Sequence, residues 1–276
     1  MRYQKELAEF ERYLIEQEKS CATVSKYLRD TKGLLIFLDG RELSKELMVE
    51  YKNLLAEGGK YTAESINTII ASINSFCKFL GRFDCLVKTI KVQRKIFYPK
   101  EKELTKDDYI KLLHAANSYP RLKLIMETIC STGIRVSELQ YFTVEAAKKG
   151  YAEVKCKGKT RTILIPSKLK AKLLEYAKKN GILGGMIFIT RFGKPIDRRN
   201  IWAEMKALCK AAGVLATKVF PHNLRRLFAR TFYKIDHDIS KLADVLGHSS
   251  INTTRIYIMT SGAEHRRKIE RLGLVT

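Results

Sequence analysis

Apolar residues recur at helical spacing through the first eighty positions, and the stops between the stripes are as legible as the stripes. Leu7, Phe10, Leu14 and Ile15 make one stripe. Val24, Tyr27, Leu28, Leu34, Leu35, Phe37 and Leu38 make a second that stops at Gly40. Leu43-Ser44 opens a short third helix through Leu54-Leu55, closed by Gly58-Gly59, and Ile66, Ile69, Ile70, Ile73, Phe76, Phe79 and Leu80 line a fourth from Thr62 to Leu80. Residues three and four apart share a helix face, so these stripes predict four amphipathic helices around one core.

The pattern then changes twice. From Lys88 to Lys102, cations recur (Lys91, Arg94, Lys95, Lys100) around Phe97-Tyr98-Pro99 with no sustained period. An extended basic linker is expected there, although a merely solvated loop has the same composition. Beyond it the reading is mixed. Leu104-Thr105-Lys106-Asp107-Asp108 has the acidic first turn of a helix start. A helix through Ile125, Met126 and Ile129 ends at Thr132-Gly133, and another begins near Val136. Tyr151 to Lys155 and Arg161 to Ile165 are rich in β-formers and flank Cys156-Lys157-Gly158-Lys159-Thr160, which predicts a hairpin. Gly185 to Ile189 is short and apolar, consistent with a third strand, and the chain from Asp197 onward reads as helical. The expected fold is mainly α with a small β-hairpin or sheet (α+β). The expected organisation is a helical domain over 1–87, a basic linker over 88–102 and a second domain over 103–276.

The formal net charge of +23 far exceeds what solubility requires. Lys and Arg that neutralise phosphates release counterions, so a polyanionic partner is expected, with an anionic membrane surface as the alternative. No apolar run approaches spanning length, and Met1-Arg2-Tyr3-Gln4-Lys5-Glu6 lacks a signal-peptide core, so a cytoplasmic location is expected. The six cysteines, at 21, 77, 85, 130, 156 and 209, form no Cys-x-x-Cys pair and stand at no metal-ligand spacing from a histidine. All six read as free thiols, with Cys77 and Cys130 as buried apolar residues.

Several residues invite chemical readings. Leu246-Gly247-His248-Ser249-Ser250 sets a histidine at one helix end, and Tyr257 falls on the next helix, a phenol able to act as a nucleophile. Arg135 follows Thr132-Gly133-Ile134, with Glu138 one turn on to hold its guanidinium. A surface Arg–Glu pair would look the same. Pro221-His222-Asn223-Leu224-Arg225-Arg226 puts His222 and Arg225 on one helix face, with Leu224, Leu227 and Phe228 on the buried one. An arginine there can fork two phosphate oxygens and a histidine can move a proton. A solvated basic face contacting DNA backbone fits the same spacing. Lys157 lies in the hairpin turn, where Lys155 and Lys159 compete for any role. No carboxylate cluster has metal-binding spacing and no Gly-x-x-x-x-Gly-Lys-Ser/Thr loop occurs, so neither a two-metal mechanism nor ATP use is indicated, and no cofactor is expected.

In order, Arg135 in Thr-Gly-Ile-Arg-Val-Ser-Glu-Leu, Lys157 in Lys-Gly-Lys, His222 and Arg225 in His-Asn-Leu-Arg-Arg, His248 in Leu-Gly-His-Ser-Ser, and Tyr257 nine residues later resemble the tyrosine recombinase (phage integrase) family. The resemblance extends to both parts of the chain, with the four-helix part similar to a core DNA-binding domain. With a first helix starting almost at Met1, the simple two-domain form of Xer-like or Cre-like recombinases is expected. The resemblance implies site-specific DNA recombination without metal or ATP. Tyr257 would attack a phosphate to give a 3′-phosphotyrosine, and a Holliday junction would follow. Arg135 and Arg225 would clamp the phosphoryl oxygens, Lys157 would protonate the leaving 5′-oxygen, His222 would serve as acid or base, and His248 would bond the phosphate. Glu138 would support Arg135, and Lys91, Arg94, Lys95, Lys159 and Arg226 would contact DNA. The implied partners are a double-stranded recombination site and further copies in a tetramer on DNA, joined through the tail from Ser261 to Thr276, which could equally pack on its own domain. A bacterial, nucleoid-associated setting and a mobile-element context belong to the same reading. Type IB topoisomerase-like relaxation, or DNA-binding regulation on a recombinase scaffold, are the alternatives.

Overall fold

The computed structural model describes residues 3–93, 97–156, 159–190, 192–259 and 262–274. The chain divides into two compact units, Met1–Arg94 and Lys95–Thr276, each with its own core.

The first unit is helical. Its four helices are α1 (Gln4–Glu16), α2 (Cys21–Leu38), α3 (Lys45–Glu57) and α4 (Ala63–Phe79). Ser20, Ser44 and Thr62 cap α2, α3 and α4 by accepting a backbone N–H from Thr23, Leu47 and Ser65. Phe10, Leu14, Leu34, Met48, Ile70, Ile73 and Phe76 fill the core. Ile15 departs from the expected stripe and is exposed, because it lies one residue, about 100° of helical turn, beyond Leu14. The stretch after α4 is not free at its start. Asn74 exchanges two hydrogen bonds with the backbone of Val87 and Asn67 does the same with Ile90, clamping that extended backbone to α4.

The second unit begins with a short 3-10 turn at Lys100–Lys102, inside the stretch expected to be wholly extended. Next come α5 (Lys106–Ala115), with a Thr105/Asp108 capping box, and α6 (Pro120–Thr132). A 3-10 helix over Val136–Tyr141 leads to α7 (Val144–Lys149). Strands β1 (Tyr151–Cys156) and β2 (Lys159–Leu164) pair antiparallel, with Cys156 opposite Lys159 and Val154 opposite Arg161. They are followed by α8 (Ser167–Lys179), α9 (Arg198–Ala207), α10 (Cys209–Ala212), α11 (Pro221–Asp236), α12 (Ile239–Leu246), α13 (Ile251–Ile258) and α14 (Gly262–Glu270). The core is built on α6, with Ile125, Met126 and Ile129 fully buried beside Phe142, Phe188 and Leu224.

Gly185 to Ile189 does not form a third strand. Only isolated bridges occur, Thr143 with Met186 and Ile189 with Pro195. Its neighbour at Phe142–Val144 is already turning into α7, with Thr143 as N-cap, so no extended partner is left to carry a ladder. No described helix is long and apolar enough to cross a membrane.

Candidate active site

The site assembles around two left-handed glycines that end helices. Gly133 terminates α6 at φ 65°, and its N–H returns to the Ile129 carbonyl. A Cβ there would lie 2.3 Å from Phe228 on α11, so glycine is needed both for the turn and for this approach. Gly247 terminates α12 at φ 64°. Its N–H bonds the Asp244 carbonyl and that of His248 bonds Ala243, the two closures of a Schellman turn. That turn projects His248 directly off the helix end.

The last three carbonyls of this end lack intrahelical partners, and each accepts from a different arginine. Arg161 Nη1 bonds Val245 O at 2.7 Å, Arg225 Nη2 bonds Leu246 O at 2.7 Å, and Arg135 Nη2 reaches Gly247 O at 3.5 Å. The negative end of the α12 dipole thus offsets part of the repulsion among three guanidinium groups.

Arg225 is 1% exposed. Besides Leu246 O it donates to Gly133 O at 2.6 Å and to His248 Nε2 at 2.9 Å, while its Nε is buried without a partner. Burial pulls its pKa down to about 10. A guanidinium can only donate, so His248 Nε2 accepts and the proton sits on Nδ1, which bonds Thr254 Oγ1 at 2.9 Å. Burial first, and then Arg225 and other nearby cations, lower the His248 pKa to about 4, so the ring is neutral at pH 7. Both ring nitrogens are engaged within the protein. His248 therefore orients Arg225 here instead of presenting a free donor to phosphate, as the sequence had suggested.

Arg135 precedes the 3-10 helix. Its Nη1 bonds Glu138 Oε1 at 3.0 Å, and its backbone N–H bonds Glu138 Oε2 at 2.7 Å. Glu138 is 3% exposed and carries a second ion pair, with Arg161 Nη2 at 2.6 Å. Arg161 was not among the residues expected at the site, yet a signal existed. In the alternating strand it falls on the face of Ile163 and Ile165, opposite fully buried Val154, an inward position for a cation. Thr254, also unforeseen, is fully buried one turn before Tyr257 on α13.

Tyr257 is 7% exposed. Its ring centroid lies 4.9 Å from that of His222 and 5.1 Å from that of His248, with the Arg225 guanidinium carbon 5.7 Å from the ring centre. Burial first, then Arg225, Arg226 and Arg135, lower the pKa of His222, which keeps it available as a base. His222, Arg225 and Arg135 also line a cleft of about 760 Å³, with Arg198, Arg199 and Trp202 of α9 contributing further walls that the sequence did not single out. Tyr257 does not line it. A cleft walled by four arginines and a neutral histidine suits a phosphate-bearing ligand. No described group of three or more His, Cys, Asp or Glu side chains is placed to hold a metal ion.

Arg226 requires a correction. Expected to contact DNA, it is 4% exposed. Its Nη1 bonds Ile256 O, its Nη2 bonds Met259 O at 2.6 Å, and its guanidinium lies 3.5 Å from the Tyr98 ring centre. The two carbonyls sit at the C-terminal end of α13, so Arg226 anchors the helix that carries Tyr257. The shift from surface to interior follows from one turn of α11. His222 and Arg225 share a face toward the cleft, and Arg226 is rotated about 100° from Arg225, toward Tyr98 and α13. Lys91 is exposed outside any helix or strand and Lys159 opens β2. Lys157, Arg94 and Lys95 lie outside the described residues. The tail starts by packing on its own unit, where Arg230 pairs with both Glu103 and Glu264 and Phe97 meets His265 at 5.4 Å.

Residues 102–264 match the phage integrase family, and residues 7–82 match the N-terminal SAM-like domain of phage integrases. The chain belongs to the phage integrase family. It is 29% identical over 281 residues to tyrosine recombinase XerA of Pyrococcus furiosus, covering 98% of this chain and 94% of that protein. Identity is also 29% over 271 residues to tyrosine recombinase XerD of Oceanobacillus iheyensis, covering 88% and 89%. Among solved structures, a lambda integrase fragment bound as a dimer to a core site shares this family member's fold. Its TM-score is 0.73 at 22% identity, over 93% of this chain and 95% of that one.

Proposed function

We propose that this family member, a site-specific DNA recombinase, acts through the Tyr257 phenol. Its oxygen attacks a scissile phosphodiester, forming a 3′-phosphotyrosine as the bond to the 5′-oxygen breaks. The bond energy is kept in the new ester, so the 5′-hydroxyl of a second strand can reverse the step without ATP, passing through a Holliday junction. The observation that carries this reading is the convergence of Arg135, Arg225, His222, His248 and Tyr257 on one helix end, from four separate stretches of sequence.

Each group has chemistry suited to its place. Arg135 and Arg225 hold the non-bridging oxygens as charge builds in the transition state, and the unpartnered Nε of Arg225 leaves donor capacity for an acceptor. Neutral His222, ring to ring with Tyr257, accepts the phenol proton. Lys157 delivers a proton to the leaving oxygen. Lys91, Arg94, Lys95 and Lys159 contribute to backbone contact, consistent with the +23 charge. Assembly as a tetramer on DNA is part of the proposal. The tail is held to its own unit at Glu264, while Ile269, Leu272 and Leu274 beyond it are exposed and open to a neighbouring copy.

The test is covalent trapping. Nicked duplexes drawn from DNA flanking the chain's own gene should yield a protein–DNA adduct that disappears in Tyr257→Phe. An adduct surviving that substitution, or none with the wild type, overturns the reading. Relaxation of supercoiled DNA lacking any such site would instead place the activity with topoisomerases.

A further inference from the structure

We infer that Arg161 is a positioning residue that sets both phosphate-clamping arginines in register with the His248 turn. The inference rests on the recombinase reading above and adds to it a residue that lies outside the five-part motif.

Its geometry connects three separate pieces of the site. Nη2 bonds Glu138 Oε2 at 2.6 Å, and Glu138 in turn bonds both the backbone and the side chain of Arg135. Nη1 bonds Val245 O at 2.7 Å, next to the Leu246 carbonyl that holds Arg225. Between these two bonds the side chain lies flat over Gly247. A Cβ at Gly247 would stand 2.6 Å from Arg161 Cδ and 2.9 Å from its Nε and Nη1. The glycine is therefore needed for the left-handed turn and again for the arginine above it.

A lysine could not do this, because a single ammonium cannot span a carboxylate and a carbonyl with the fixed fork of a guanidinium. The position on β2 matters as well. Arg161 stands two residues after Lys159 on β2. One side chain thus ties the hairpin, the Arg135–Glu138 turn and the α12 end together. With Glu138 buried and shared by two cations, loss of Arg161 leaves Glu138 with Arg135 alone and Val245 O without its donor. Both changes free the α12 end to shift relative to Arg135, and displacement of about 1 Å is enough to cost as much as 100-fold in rate.

The experiment compares full-length wild type, Arg161→Gln and Arg161→Lys in single-turnover cleavage of the same nicked duplex, with DNA affinity and thermal unfolding measured alongside. Arg161→Gln should cleave ~10- to 100-fold more slowly with unchanged DNA affinity, and Arg161→Lys should fall between it and the wild type. The discriminating measurement replaces one non-bridging oxygen of the scissile phosphate by methyl. That group removes charge the arginines must meet, so a residue acting through their placement loses most of its effect, and the Arg161→Gln defect should shrink to ~3-fold or less. Equal cleavage by Arg161→Gln and wild type, or a defect of the same size on both substrates, overturns the inference. If Arg161→Gln does not fold, Arg161→Lys carries the same two-substrate comparison. Absence of cleavage by the wild type would instead count against the recombinase reading itself.

Discussion

Lowering the pH below about 6.5 should loosen this fold through His248. The imidazole accepts from Arg225 at Nε2, and a protonated ring would set two donors face to face. Its pKa falls from the ordinary 6.5 to about 4 in the folded chain. Between those values the unfolded chain binds a proton that the folded chain refuses, so stability rises with pH through this window and is lost on the way down. At 1.36 kcal/mol per pH unit the full difference is about 3 kcal/mol, and the half-exposed ring reduces it to about 1–2 kcal/mol. Denaturant unfolding at pH 7.0 and pH 4.5 should show this loss in the wild type. In His248→Gln, which still offers Arg225 an acceptor but does not titrate, the loss should shrink by that amount. The remainder belongs to His222, whose pKa moves in the same direction for the same reason of burial, and to ion-paired carboxylates such as Asp84 with Arg82 and Glu175 with Lys179, whose pKa values are lowered. Identical pH dependence in the two proteins would refute the assignment of Nε2 as an acceptor and the orienting role built on it.

Two further outcomes follow from single contacts. Arg226→Met should impair cleavage while leaving the salt dependence of DNA binding unchanged, because its guanidinium caps Ile256 and Met259 inside the protein. A phosphate contact would instead lower the salt slope by about 1. Gly133→Ala should cost about 2–5 kcal/mol by thermal unfolding, the sum of a left-handed backbone in an L-residue and the displacement of Phe228. A loss below about 1 kcal/mol would mean that Phe228 and the turn relax freely.

Much of the fold was legible because helices are local. The stripe of Ile66, Ile70, Ile73 and Phe76 and the caps Ser44 and Thr62 report on residues within four positions of one another, and they placed α3 and α4 to within a residue or two. The hairpin was equally local. Gly185 to Ile189 was not, because whether an apolar run becomes a strand depends on a partner, and its partner is the start of a helix. The same distinction separates Arg225 from Arg226. The sequence shows two adjacent cations after His222-Asn223-Leu224, and only packing decides that one lines the cleft while the other caps α13.

By itself the sequence determined the helical first unit, the hairpin in the second and the identity of the residues with phosphate chemistry, since those depend on side-chain type and short spacing. Tertiary structure decided how those residues are used. Three arginines from three elements meet the unpaired carbonyls of one helix, a tautomer is imposed on His248 by a donor that cannot accept, and Arg161 is drawn inward to join Glu138 to the Gly247 turn. Strand alternation marks Arg161 as inward-facing, but the partners of all these groups have no signature in neighbouring residues, because each contact is set by two chain segments that meet only once the domain has packed.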